Sequence, residues 1–271
     1  MEKIGRHVAA KIRSIPEHLR TEEQSEALHR FDNPFKLSES AKERLLEYSK
    51  VVRLEKPKKS LEGIKYDELF FAFKHEFQVA TGKELMVDKE RLDDYKTLLC
   101  YFTKDDRFFE CENLSKLSIP SFDKGLLIVG GYGNGKSTIM RTLSRSLKYY
   151  RVRQFRFYTA NSIVDQFENC ETVQDKKKFW QTFTNGTMCF DDVKTERDAS
   201  NYGKYNLFRD LIERRYDLNS TTFMTCNYRN GKYGDLQDSL SEFGERYGAR
   251  AYDRIFEMFN IIEFKGKSLR K

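Results

Sequence analysis

Four kinds of feature are missing from this 271-residue sequence, and each absence narrows what the chain can be. No run approaches the roughly eighteen uninterrupted apolar residues that a membrane span requires. The opening stretch, MEKIGRHVAAKIRSIPEHLR, is charged throughout. It therefore lacks the apolar core of a secretory signal, and its glutamates argue against an organelle transit peptide. The expected location is cytoplasmic, with no membrane partner. The five cysteines (Cys100, Cys111, Cys170, Cys189, Cys226) contain no C-x-x-C pair. Cys189 and Cys226 fall in apolar, strand-like runs, where a thiol serves as a small buried hydrophobe. A disulfide framework or zinc site is not expected, and an odd count suits a reducing compartment. The chain also has neither an internal repeat nor a low-complexity tract.

What is present is a charged, surface-rich chain long enough for one ample domain and a smaller one. Its formal net charge of +7 favours encounter with a polyanion, nucleic acid being the obvious candidate. The first sixty residues lean towards helix: in SESAKERLLEYSKVV, Ser38 or Ser40 can cap a pattern of Leu45, Leu46, Tyr48 and Val51. Pro57 and its charged neighbours break the pattern. Two stronger helices follow. One places Leu69, Phe70, Phe73 and Phe77 on a face and stops at Gly82. The other, capped by Asp88, aligns Leu92, Tyr95, Leu98, Leu99 and Phe102. From Lys124 the texture alternates. Strands are expected at GLLIVG, RQFRFYTA, TMCFDD, STTFMTC and NIIEF, with helices beginning near Lys136, Asn161, Asp175, Tyr202 and Glu242. Five short apolar strands between helices predict an α/β fold with a mostly parallel sheet covered on both faces. The expected division is a helical N-terminal region over residues 1–110 and a nucleotide-binding domain over 111–271.

The first of those strands runs into Gly130-x-x-x-x-Gly135-Lys136-Ser137, the Walker A pattern, with a helix after it as that pattern requires. Gly130, Gly131, Gly133 and Gly135 let the backbone wrap round phosphates so that successive N–H groups, Asn134 among them, point at anionic oxygens. The positive end of the helix adds to this. Lys136 can reach the β- and γ-phosphates, the Ser137 hydroxyl can ligate Mg²⁺, and Thr138 completes the first turn. The ligand implied is ATP with Mg²⁺.

TMCFDDV then ends an apolar strand in two acids. Asp191 suits the metal through its water shell, and Asp192 suits orienting or deprotonating an attacking water. In STTFMTCN a further strand ends in Thr225 and Asn227, and the amide can hydrogen-bond the water or the γ-phosphate. The order of phosphate loop, acid pair and polar-tipped strand describes an ATPase with an extra strand between its two Walker strands. Small-molecule kinases and GTPases usually lack both the second acid and this strand tip.

Taken together, Asp191-Asp192, Thr195-Glu196, Arg215-Tyr216 and Thr225-x-Asn227 resemble the DnaC-like replicative helicase loaders, a group of AAA+ ATPases, and their IstB-like relatives in transposition. The ending, with Arg250, Asp253-Arg254 and Gly266-x-Ser268-x-Arg270, is similar too. The resemblance spans roughly residues 90–271 and implies an AAA+ core preceded by helices. Arg254 would be the arginine finger reaching a neighbour's γ-phosphate, with Arg250 as the alternative, and Arg270 the sensor-2 arginine within the subunit. Hydrolysis would then depend on ATP-bound self-association. Asp192, where many AAA+ motors carry Glu, implies slow turnover. The chain stops soon after Arg270, so no C-terminal lid domain is expected.

Two segments suit single-stranded DNA. YYRVRQFRFY interleaves Arg151 and Arg153 with Phe155, pairing phosphate contacts with stacking. A later segment carries Lys176, Lys177, Lys178 and the sole tryptophan, Trp180. The resemblance further implies a hexameric replicative helicase as partner, bound by the N-terminal region. Two other readings stay open: an IstB-like ATPase acting with a transposase, and a small-molecule phosphotransferase needing no partner arginine.

Overall fold

A strand without a polar side chain must be covered on both faces, and Gly125–Gly130 (β1) is such a strand, buried at every position. The structure is a computed structural model that describes residues 12–22, 24, 25, 28, 63–150, 153–200, 203–266 and 268. The chain forms two compact units, Met1–Lys59 and Ser60–Lys271. In the first, a short 3₁₀ turn covers Glu17–Leu19. The helix expected near Ser38 lies outside the described residues.

The second unit runs α1 (Tyr66–Thr81), α2 (Lys89–Thr103), β1, α3 (Lys136–Tyr150), β2 (Arg156–Thr159), α4 (Ala160–Glu168), α5 (Val173–Thr184), β3 (Met188–Val193), α6 (Leu207–Asp217), β4 (Thr222–Asn227), α7 (Leu236–Tyr247), α8 (Ala249–Met258) and β5 (Phe259–Phe264). The five strands make one sheet in the order β2-β3-β4-β1-β5, and every pairing is parallel. The extra strand β4 lies between β1 and β3, as the motif order requires. Among the described residues, no helix is long and apolar enough to cross a membrane.

Alternation along the strands splits the core in two. Leu127, Val129, Phe190, Met224 and Ile261 meet α4 to α8, through residues such as Ile163, Phe183, Leu211, Phe243 and Ile255. Leu126, Ile128, Cys189, Phe223 and Ile262 meet α1, α2 and α3. The two leading helices therefore share the sheet's core, although the change in sequence texture falls after them. Leu69, Phe73 and Phe77 form the buried stripe of α1, which Gly82 ends in the left-handed region. Asp88 caps α2 by accepting from the Arg91 N–H at 3.0 Å. One expectation needs correcting here. Leu92 is 41% exposed, and Arg91 is buried instead, its guanidinium held at 2.7 Å by the same Asp88.

Two helix starts also differ from expectation. Tyr202 lies outside the described residues, and α6 begins at Leu207, capped by Asn206. The pattern assigned near Glu242 is two helices, α7 and α8, which meet at Gly248 with a φ of 93°. Only glycine adopts that angle readily, so the break is local in origin.

Candidate functional site

Between the end of β1 and the start of α3, residues 130–135 lie at the C-terminal edge of the sheet, facing the positive end of a helix. Crowding requires glycine at 130, where a Cβ would meet the Phe264 carbonyl at 2.7 Å and Asn134 Nδ2 at 2.5 Å, whereas one on Gly131 would meet only the end of the exposed Tyr233 side chain. Gly133 and Gly135 hold φ values of 75° and 95°, which L side chains disfavour.

Lys136 Nζ donates to the carbonyls of Gly130 (3.0 Å) and Gly131 (2.8 Å), to Asn134 Oδ1 (3.1 Å) and to Asn227 Oδ1 (3.0 Å). All four acceptors are neutral. Burial pushes the Lys136 ammonium down to about 8, against a smaller upward pull from Cys226, Asp192 and Asp191. Lys136, Ser137, Thr138, Asp192, Thr195 and Asn227 line one cavity of about 300 Å³.

β3 delivers both acids, but not by simple alternation. Phe190 pairs with Met224 and Val193 with Cys226, so β3 carries one extra residue, a bulge, at the acid pair. Asp191 is buried, and its Oδ1 accepts from Thr225 Oγ1 at 2.6 Å. Burial raises the Asp191 carboxyl, while hydrogen bonds from Thr225 and Ser137 lower it. Asp192 takes a left-handed φ of 56°, its N–H donating to Thr225 Oγ1 at 3.0 Å. Asn227 bridges the site, accepting from Lys136 and reaching Asp192 Oδ1 through Nδ2 at 3.5 Å.

These residues fit a magnesium-bound nucleoside triphosphate. The buried ammonium faces only neutral oxygens, so an anion can replace them with gain. Ser137 and Asp191 are the hydroxyl and carboxylate that would hold Mg²⁺, Ser137 being one of the groups that lower the Asp191 carboxyl. Asp192 and Asn227 are placed to take a proton from a water and to orient it. A larger cavity of about 490 Å³, lined by Ser144, Lys148, residues 154–158 and Thr187, has no acid and no backbone cradle.

Other expected site residues fall elsewhere. Arg254 does not line the pocket. It is 8% exposed, lies over the Tyr216 ring at 4.3 Å and contacts Asp217 at 3.3 Å. Arg250, also on α8, has a side chain 72% exposed and only a loose contact with Glu213 at 3.9 Å. Arg270 and Arg151 lie outside the described residues. Arg153 and Phe155 do not form the expected alternating surface, because β2 starts only at Arg156. Arg153 donates to the Tyr101 carbonyl at 3.0 Å. Phe155 is buried against Phe102 and Phe223, at 5.7 and 5.0 Å between ring centroids. Trp180 is half-buried on Phe167 and Phe179, with Arg214 over its ring at 4.3 Å. Lys177 is exposed on α5.

Some contacts had no signal in the sequence. Tyr132 Oη bonds Asn230 Oδ1 at 3.0 Å, and Tyr233 lies against Gly131, so the loop after β4 folds over the phosphate loop. Arg215, quoted above only as part of a motif, proves fully buried, binding Thr222 Oγ1 and the carbonyls of Phe183, Gly186 and Thr221 at 2.7–2.8 Å.

No protein-family model and no curated protein matches the chain by sequence. Among solved structures, the chain is similar to the DnaC helicase loader at 18% identity, over 67% of this chain and 93% of that one, with a TM-score of 0.47. It is similar to DnaI at 16% identity over 76% and 93%, TM-score 0.45. AMPPCP-bound DnaA from Aquifex aeolicus is similar at 14% identity over 66% and 48%, TM-score 0.42. The fold is α/β: a five-stranded, all-parallel sheet with a phosphate loop after β1 and helices ahead of the sheet.

Proposed function

We propose that this chain is an ATP-controlled loader of a hexameric replicative helicase, which engages single-stranded DNA and hydrolyses ATP slowly and only when assembled. The observation that carries the ATPase part is the convergence of Lys136, Ser137, Asp192 and Asn227, from three adjacent strand ends, on one cavity, with Asp191 buried beside them on Thr225. The backbone amides of the phosphate loop and Lys136 bind and orient the triphosphate. Asp192 accepts the proton of the attacking water, which Asn227 orients. Mg²⁺ between Ser137 and Asp191 would neutralise developing charge. The aspartate at 192 is one methylene shorter than glutamate, which fits slow turnover.

Assembly dependence is supported by α8, where Arg250 extends from the surface free to enter a neighbour's site. Exposure favours Arg250 as the finger over Arg254. The loader assignment rests on the motif set and its order. We assign helicase contact to the N-terminal region, residues 1–110, and DNA contact to the exposed lysines of α5 and a net charge of +7.

The test is light scattering after gel filtration of the chain mixed with its own cell's replicative helicase, with ATP analogue and Mg²⁺ and again without nucleotide. A stable complex in either condition is expected. None in either overturns the loader reading and directs attention to duplex DNA and a transposase. ATP turnover that is independent of protein concentration and of both α8 arginines would instead favour a phosphotransferase.

A further inference from the structure

The turn that follows β3 is held in an unusual shape. Two non-glycine residues close together, Asp192 and Lys194, take left-handed φ values of 56° and 76°. Such residues persist only where the surroundings over-determine them. On one side the determinant is Thr225, which accepts from the Asp192 N–H. Within the turn, Thr195 Oγ1 donates to the Asp192 carbonyl at 2.6 Å. On the far side stands a side chain from α7, 51 residues further along the chain. Tyr247 Oη accepts from the Lys194 N–H at 2.9 Å and donates to Glu196 Oε1 at 2.7 Å.

That hydroxyl belongs to a wider polar network. Glu196 is buried, its Oε1 also accepts from Arg246 Nε at 2.9 Å, and its backbone carbonyl accepts from Arg246 Nη2. Lys194 Nζ is bound to Glu242 at 2.5 Å and to the Ser239 carbonyl at 3.2 Å. The Tyr247 ring lies against Phe243, 5.4 Å between centroids, inside the core, so its packing does not depend on the hydroxyl. Asp192 itself points into the phosphate cavity with Lys136 and Asn227.

We propose that Tyr247 is a positioning residue for hydrolysis: its hydroxyl, linking the Lys194 N–H to the Glu196 carboxylate, fixes the turn that aims Asp192 at the γ-phosphate. The inference rests on the reading of Asp192 as the group that takes the water's proton. Nucleotide affinity is set by the phosphate loop, which Tyr247 does not touch. Loss of the hydroxyl therefore moves turnover and leaves binding alone.

The experiment compares wild type, Tyr247→Phe, Asp192→Asn and the double variant in three measurements. These are ATP turnover at a concentration where the wild type is assembled, affinity for a fluorescent ATP analogue, and amide hydrogen exchange of the peptide spanning 190–196 in the nucleotide-free protein. Tyr247→Phe keeps the ring, so thermal unfolding checks that the fold is retained. The expected result is turnover reduced about 10- to 100-fold, as misplacement by about an ångström produces. Affinity stays within about twofold, and exchange around Lys194 becomes faster. If Tyr247 acts through Asp192, the double variant is no slower than Asp192→Asn. Wild-type turnover in a folded Tyr247→Phe, with Asp192→Asn inactive, overturns this inference and leaves the ATPase reading standing. Full turnover in Asp192→Asn overturns both. Should no variant turn over ATP, exchange decides, and unchanged protection around Lys194 rejects the role of the hydroxyl.

Discussion

A lysine ammonium surrounded by four neutral oxygens is poised to change partners. Lys136 is held near 8 by burial, whereas a bound triphosphate would raise it by bringing negative charge. Protonation and nucleotide binding therefore reinforce each other. Below about 8 the charged form is already present and affinity is at its plateau; above it, binding must take up a proton and weakens as pH rises. A fluorescent-analogue titration is expected to give roughly tenfold weaker binding at pH 9.5 than at pH 7, while Lys136→Ala binds weakly at both. Asp94 shows the opposite case. It is buried on α2, and burial lifts its carboxyl to about 7 against the Asn113 amide and Arg91. The folded protein then keeps a proton that the unfolded chain releases near 4. Stability from this group is greatest at low pH and is lost as pH rises towards 7. Wild type should lose about 2 kcal/mol between pH 5 and pH 7 that Asp94→Asn does not, read from urea unfolding of both proteins.

At the scale of elements, the sheet is stapled below as well as organised above. Arg215, at the end of α6, ties that helix to the loop after α5 and to the start of β4. Burial lowers it to about 10, yet its hydrogen-bond acceptors are all neutral oxygens that need its N–H groups. Arg215→Met should cost about 3 kcal/mol or more in urea unfolding, because three carbonyls and a hydroxyl lose their donor in a dry site. ATP-analogue affinity of the folded fraction should not change, since the phosphate loop lies at the other edge of the sheet. The bulge in β3 is the complementary device: with one extra residue in the strand, Asp192 lines the cavity while its neighbour Asp191 stays buried on Thr225.

At the scale of the whole molecule, the arrangement places α8 and its arginines away from the chain's own phosphate cavity. Arg250→Ala is expected to leave analogue affinity unchanged and to abolish the rise of specific ATPase activity with protein concentration, a loss on the order of 10³-fold at high concentration. Arg254→Ala should mainly lower the unfolding midpoint, because its guanidinium is buried over Tyr216. Equal losses of concentration-dependent activity in both variants would restore Arg254 as the finger.

Much of this was readable in one dimension. Gly130 to Ser137 could be assigned because a phosphate loop is made of consecutive backbone groups, and local conformation dictates glycine at set positions. The five strands and the stripes of α1 and α2 followed from alternation and from the 3.6-residue period, which are also local. Leu92 and Arg91 exchanged roles because a capping carboxylate at Asp88 neutralises the arginine and permits its burial, a pairwise effect that periodicity ignores. Phe155 is expected to stack on DNA from a longer strand, but β2 starts only at Arg156. In the fold it belongs to a cluster with Phe102 and Phe223, assembled from three separate segments. By itself, then, the sequence determined the phosphate loop, the strands and the acid pair, since each is written in neighbouring residues. The tertiary structure alone decided the bulge that turns Asp192, the Asn227 oxygen that holds Lys136 from 91 residues away, and the exposure of Arg250 over Arg254. Those depend on which side chains meet across the sheet and between helices, and such meetings leave no mark at any fixed spacing.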